Sequence, residues 1–172
     1  MEPVAFAFEL ATAADTAGLG AALGKALLKC RDLIEQRGLV VGLSGDLGAG
    51  KTTLVRGLLQ SLGVDGHIKS PTFVLLEPYS IADLEFYHID FYRIKDPQEF
   101  LSGGFREFFG DGRVCLIEWP EKAGEFLSDP DLSLRLSIGE DIRRADLQAG
   151  TSMGRECLRR WIGSASANGD GS

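Results

Sequence analysis

The run Leu39-Val40-Val41-Gly42-Leu43, followed closely by Gly45-Asp46-Leu47-Gly48-Ala49-Gly50-Lys51-Thr52, decides the architecture of this chain. A short, continuous apolar run is the pattern of a strand buried on both faces. The eight residues that follow satisfy G-x-x-x-x-G-K-[ST], the phosphate-loop pattern, whose glycines let the backbone curl its N–H groups inward toward phosphate oxygens. Thr53 to Leu62 then reads as a helix, with Leu54, Leu58 and Leu62 on one side and Gly63 as its stop. A strand, a glycine loop and a helix in that order place the positive end of a helix dipole at the loop.

Working outward, Val4 to Leu10 reads as a short strand, and Thr12 as the N-cap of a long helix over about Ala13 to Gln36, ended by Gly38. Thr72 to Tyr79 and Leu84 to Tyr92 are rich in strand formers and flank a turn at Ala82-Asp83. Asp96-Pro97 opens an irregular helical stretch that runs toward Phe109. Arg113 to Glu118 is a second apolar run, which Pro120 terminates. Leu132 to Ile138 and Ile142 to Gln148 form a candidate hairpin around Gly139-Glu140, and Arg155 to Ile162 a closing helical turn or two. The expected fold is α/β: a three-layer, P-loop NTPase-like domain with a mixed central sheet and helices on both faces. One such domain is expected over residues 1–163, with a disordered polar tail over 164–172.

The composition narrows the function. Of 172 residues, 44% are hydrophobic and 25% charged, ordinary for a chain that folds around its own core. The net charge of −7 argues against independent nucleic-acid binding, which draws its affinity from Lys and Arg neutralising phosphates. Cys30, Cys115 and Cys157 are odd in number and far apart, and only two histidines accompany them, so neither disulfides nor a structural zinc site is expected. The amino terminus lacks the basic region of a signal peptide, and no apolar stretch approaches the roughly 20 residues needed to span a bilayer. The expectation is a cytoplasmic protein with no membrane association.

The candidate nucleotide site is Gly45, Asp46, Leu47, Gly48, Ala49, Gly50, Lys51, Thr52 and the adjoining Thr53. Lys51 is the expected catalytic cation at the β- and γ-phosphates, and the Thr52 hydroxyl the expected magnesium ligand. Phosphate-loop enzymes pair this ligand with an acid at the end of a neighbouring buried strand. Glu118, ending the more central-looking run, is the favoured metal-shell residue over Asp90. Asp90 could orient the attacking water, bind the metal through water, or be a plain hairpin-end carboxylate. Ser70, Pro71 and Thr72 lie where a switch-like loop could touch the γ-phosphate, or are a simple strand entry. His88 reads as a structural histidine, Trp119 as core or contact surface, and the pairs Arg143-Arg144 and Arg159-Arg160 as solvated charge or partner contact. ATP is favoured over GTP, because the only asparagine, Asn168, cannot supply an N-K-x-D guanine reader.

Taken together, GDLGAGKTT at Gly45–Thr53, KSPTF at Lys69–Phe73, YHIDFYR at Tyr87–Arg93 and LIEWP at Leu116–Pro120 resemble the bacterial TsaE (YjeE) family, in order, over about residues 10 to 150. The resemblance implies a weak ATPase, cofactors ATP and Mg2+, that serves the threonylcarbamoylation of tRNA at the adenosine beside the anticodon. It implies the protein partners TsaD and TsaB, contact with tRNA only through their complex, and hydrolysis that resets that complex. It also implies Thr52 and Glu118 as magnesium residues, Asp90 as an essential acid and Ser70–Thr72 as the switch-like loop. A small P-loop phosphotransferase (kinase) is the alternative.

Overall fold

The computed structural model describes residues 4–68 and 76–167. Among them, seven strands form one sheet in the order β1-β7-β6-β2-β5-β4-β3. These are β1 (Ala5–Leu10), β2 (Leu39–Ser44), β3 (Leu76–Ile81), β4 (Leu84–Asp90), β5 (Arg113–Glu118), β6 (Leu132–Ile138) and β7 (Arg143–Ala149). The central pairs β6–β2, β2–β5 and β5–β4 are parallel, and the outer pairs are antiparallel. The fold is therefore α/β with a mixed sheet, as the pattern predicts. Four parallel strands place their carboxyl ends along one rim, where open α/β sheets bind their ligands.

The alternation within the strands divides the core in two. Val41 and Leu43 of β2, Val114 and Leu116 of β5 and Phe86 of β4 face a cluster built with helices α1 (Ala13–Leu28), α2 (Arg31–Arg37), α3 (Lys51–Ser61) and α5 (Ser152–Ala167). Cys115 and Ile117 of β5 and Ile89 of β4 face the other side. There Phe91 meets Phe100 of the short helix α4 (Gln98–Ser102) edge-on at 5.7 Å and Phe105 of a following 3-10 turn at 5.0 Å. Helices thus cover both faces, unequally: long α-helices on one, short helical turns and an aromatic cluster on the other.

Local chemistry fixes most of the boundaries. Thr12 caps α1 reciprocally, its Oγ1 accepting from the Asp15 N–H at 3.1 Å while Asp15 Oδ2 accepts from the Thr12 N–H at 2.9 Å. Ala82 and Asp83 both adopt left-handed φ, 52° and 64°, the turn geometry that matches the twist of a two-residue hairpin. Helix α3 lies unusually close to α1: a Cβ added at Gly57 would fall 2.1 Å from the Ala17 carbonyl oxygen, and one at Gly20 2.0 Å from that of Leu54.

Two expectations need correction. The single helix over Ala13 to Gln36 is two helices, broken at Lys29-Cys30. The carbonyl of Lys29, left over at the end of α1, accepts from Arg160 Nη1 at 3.1 Å, so a residue of α5 satisfies the break. The closing helix is also longer than a turn or two. It runs Ser152–Ala167 and enters the segment 164–172 assigned to a disordered tail, while 168–172 lie outside the described residues. No helix among the described residues is long and apolar enough to cross a membrane.

Candidate functional site

Strand β2 delivers the chain to the rim at Ser44, and the loop then turns on glycines at positive φ: 140° at Gly45, 80° at Gly48 and 111° at Gly50. Side chains could not replace two of them. A Cβ at Gly45 would lie 2.3 Å from the Leu136 carbonyl oxygen, and Gly50 pairs a left-handed φ with Thr16 Cγ2 at 3.2 Å from its Cβ position. Gly50 is the N-cap of α3 and leaves the first-turn N–H groups without a side-chain cap. Among the predicted loop residues, Asp46, Leu47 and Gly48 are exposed, Leu47 at 72%, and Ala49 is buried. Thr53 is half-buried on α3, beside Thr52.

Lys51 is buried, and its Nζ donates to the carbonyls of Gly45 (2.5 Å) and Asp46 (3.0 Å). It also lies 4.2 Å from the centre of the Trp119 ring. Burial lowers its pKa from the usual lysine value, opposed by the nearby carboxylates of Glu118, Glu121, Asp90 and Asp46. The indole of Trp119, half-buried and at φ 58°, packs against Tyr92 at 5.3 Å.

Thr52 and Glu118, 66 positions apart, meet directly: Thr52 Oγ1 donates to Glu118 Oε1 at 2.9 Å. Glu118 ends β5 almost fully buried, and its other oxygen, Oε2, lies 2.7 Å from Nε2 of buried His88. Asp90 ends β4 in register with Glu118, and its carboxylate accepts the Tyr92 N–H at 2.9 Å. Strand β4 is flanked on both sides, by β5 and β3, so it is interior rather than peripheral. Its hairpin turn, at Ala82-Asp83, is at the end opposite Asp90.

The structure thus gathers Lys51, Thr52, Glu118 and Asp90 at one rim. Ser70, Pro71 and Thr72 lie outside the described residues. Two further neighbours join them: His88, which from sequence reads as a structural histidine, lies on Glu118, and Trp119, which reads as core or contact surface, lies on Lys51. The signal for His88 lay in strand periodicity, since His88 and Asp90 share one face of β4 as Leu116 and Glu118 share one face of β5. Arg160 is not simply solvated charge. It holds both oxygens of Asp32 at 2.6 and 3.2 Å and keeps that carboxyl below its usual pKa.

The donor set fits a magnesium ion. A hydroxyl and a carboxylate are the hard oxygens it prefers, and two neighbouring ligands of an octahedral ion at about 2.1 Å stand about 3 Å apart. Thr52 Oγ1 and Glu118 Oε1 are 2.9 Å apart.

Comparison with known proteins places the chain as a whole rather than the individual site residues. The family model described as "Threonylcarbamoyl adenosine biosynthesis protein TsaE" matches residues 10–145. Two proteins named tRNA threonylcarbamoyladenosine biosynthesis protein TsaE are similar along most of the chain. The one from Haemophilus influenzae is 43% identical, covering 72% of this chain and 78% of its own. That from Treponema pallidum is 38% identical, covering 77% and 92%. The crystal structure of Bacillus subtilis YdiB superposes with a TM-score of 0.73 over 96% of this chain and 99% of its own, at 24% identity, and so shares the fold. The span of the family match, joined to relatives of this identity, shows that the chain belongs to the TsaE family of threonylcarbamoyl adenosine biosynthesis proteins.

Proposed function

We propose that this chain is a magnesium-dependent ATPase working from the Gly45–Thr53 loop, as the accessory subunit of a TsaB–TsaD complex that threonylcarbamoylates tRNA. The observation that carries the reading is the meeting of Thr52 and Glu118 at 2.9 Å beside Lys51, at the carboxyl ends of parallel strands. The loop N–H groups and the uncapped start of α3 would cradle the phosphates, and Lys51 would leave its two carbonyl partners for the β- and γ-phosphates. Thr52 and Glu118 would hold magnesium, which neutralises charge as the terminal phosphoryl group departs. Asp90, in register with Glu118, would orient the attacking water.

The net charge of −7 supports a role beside tRNA without direct grip on it. Nucleotide state can act on the partners only if the ATP and ADP forms bind them with different free energies. Calorimetry against purified TsaB–TsaD tests this: tighter binding with a non-hydrolysable ATP analogue than with ADP is expected. Equal affinities would remove the accessory role and favour a phosphotransferase.

A further inference from the structure

We propose that His88 is the positioning residue that aims Glu118 at the metal, an inference that rests on the magnesium-nucleotide reading above. Glu118 reaches out from the last position of β5, and a glutamate there has three rotatable bonds through which to miss its target. Among the described residues, two contacts fix it. Oε1 accepts from Thr52 on one side, and Oε2 lies 2.7 Å from His88 Nε2 on the other. The imidazole itself cannot wander, since His88 is fully buried on β4, opposite Leu116 of β5.

Hydrogen-bond accounting identifies what His88 contributes. Its Nδ1 is buried and has no hydrogen-bond partner among the described residues. A proton on Nδ1 would be a buried N–H without an acceptor, which costs more than an unpaired ring lone pair. The proton therefore belongs on Nε2, which donates to Glu118 Oε2. Such a donor occupies Oε2 and leaves Oε1 as the oxygen turned toward Thr52. Groups that hold a ligating carboxylate in this way typically change metal affinity by about 10–100-fold when removed.

The amides distinguish a positioning donor from a space-filling ring. Glutamine can place an N–H near the position of histidine Nε2, whereas asparagine reaches only to that of Nδ1. Calorimetric titration of a non-hydrolysable ATP analogue, at stepped magnesium concentrations, is the direct test. His88→Asn and His88→Leu are expected to raise the half-saturating magnesium at least about tenfold, while leaving metal-free nucleotide binding unchanged. His88→Gln is expected to restore the wild-type requirement. If His88→Leu does not fold, the comparison of the two amides decides. Wild-type magnesium dependence in a folded His88→Leu or His88→Asn protein overturns the inference alone, as does a folded His88→Gln protein that behaves like His88→Asn. A wild-type chain that binds no nucleotide overturns the parent reading and this inference with it.

Discussion

Thr52 Oγ1 donates a 2.9 Å hydrogen bond to Glu118 Oε1, tying the first turn of α3 to the end of β5. Each residue stands at a boundary between regular structure and loop, and each is held by a rigid element behind it. Because the two act on one ion in the proposed site, their substitutions should not add. Thr52→Ala and Glu118→Gln are each expected to weaken the magnesium-dependent part of ATP binding, by about 2 kcal/mol, as loss of a hydrogen bond to a charged group allows. The double variant should lose little more. A full double-mutant cycle by calorimetry checks this, and strict additivity would place the two residues in separate roles.

Asp90 should behave differently. Its carboxylate accepts the Tyr92 N–H and is a register neighbour of Glu118, but neither observation requires it to hold the metal. Asp90→Asn keeps an acceptor for Tyr92 while removing the charge. Turnover is expected to fall at least about 100-fold, the lower end of the range for loss of a general acid or base, with ATP affinity changed less than about threefold. Unchanged turnover would confine Asp90 to shaping the chain at Tyr92.

The packing of α1 on α3 gives a stability prediction. An added Cβ at Gly57 would lie 2.1 Å from backbone at Ala17, whereas at Gly18, on the same helix pair, nothing lies within 4 Å. Gly57→Ala must therefore push the helices apart and is expected to destabilise the protein by about 3 kcal/mol. Gly18→Ala should gain up to about 1 kcal/mol from helix propensity. Thermal melts of the two variants should move in opposite directions. Since α3 carries Lys51 and Thr52, Gly57→Ala should also weaken nucleotide binding.

These relationships were unequally legible in the sequence. The strand, loop and helix from Leu39 to Ser61 could be read because the whole signal is contiguous and each glycine has a local job. Glu118 could be read because a buried parallel strand leaves a continuous apolar run before its last residue. The bond from His88 to Glu118 could not, because it depends on which strand lies beside β5 and in what register, and the sequence carries no local mark of either. The break at Lys29-Cys30 is hidden for the same reason: the group that satisfies it, Arg160, is 131 positions away. Arg160 likewise looked like solvated charge until folding brought Asp32 to it.

Cys115 supplies a pH prediction. Buried on β5 with its Sγ 3.2 Å from the Phe108 carbonyl, its thiol is pushed by desolvation from the ordinary 9.0 up to about 12. The folded pKa lies above the unfolded one, so this contribution to stability is complete below pH 9 and is lost as pH rises toward 12. Native Cys115 should resist alkylation at pH 9–10 while the denatured chain reacts at once, as peptide mass spectrometry would read. Rapid native labelling would show that β5 opens locally.

The most direct test of the proposed activity is ATP turnover by the purified chain, alone and with the TsaB–TsaD pair, for wild type and Lys51→Ala. Wild type should hydrolyse ATP slowly alone and faster with the pair. Lys51→Ala should remain folded and lose at least about 100-fold, equivalent to about 2.7 kcal/mol of barrier, since catalysis in such a site is positioning and charge. Turnover that survives in a folded Lys51→Ala protein, or a wild-type rate that the partner pair leaves unmoved, would contradict an accessory ATPase working from this loop.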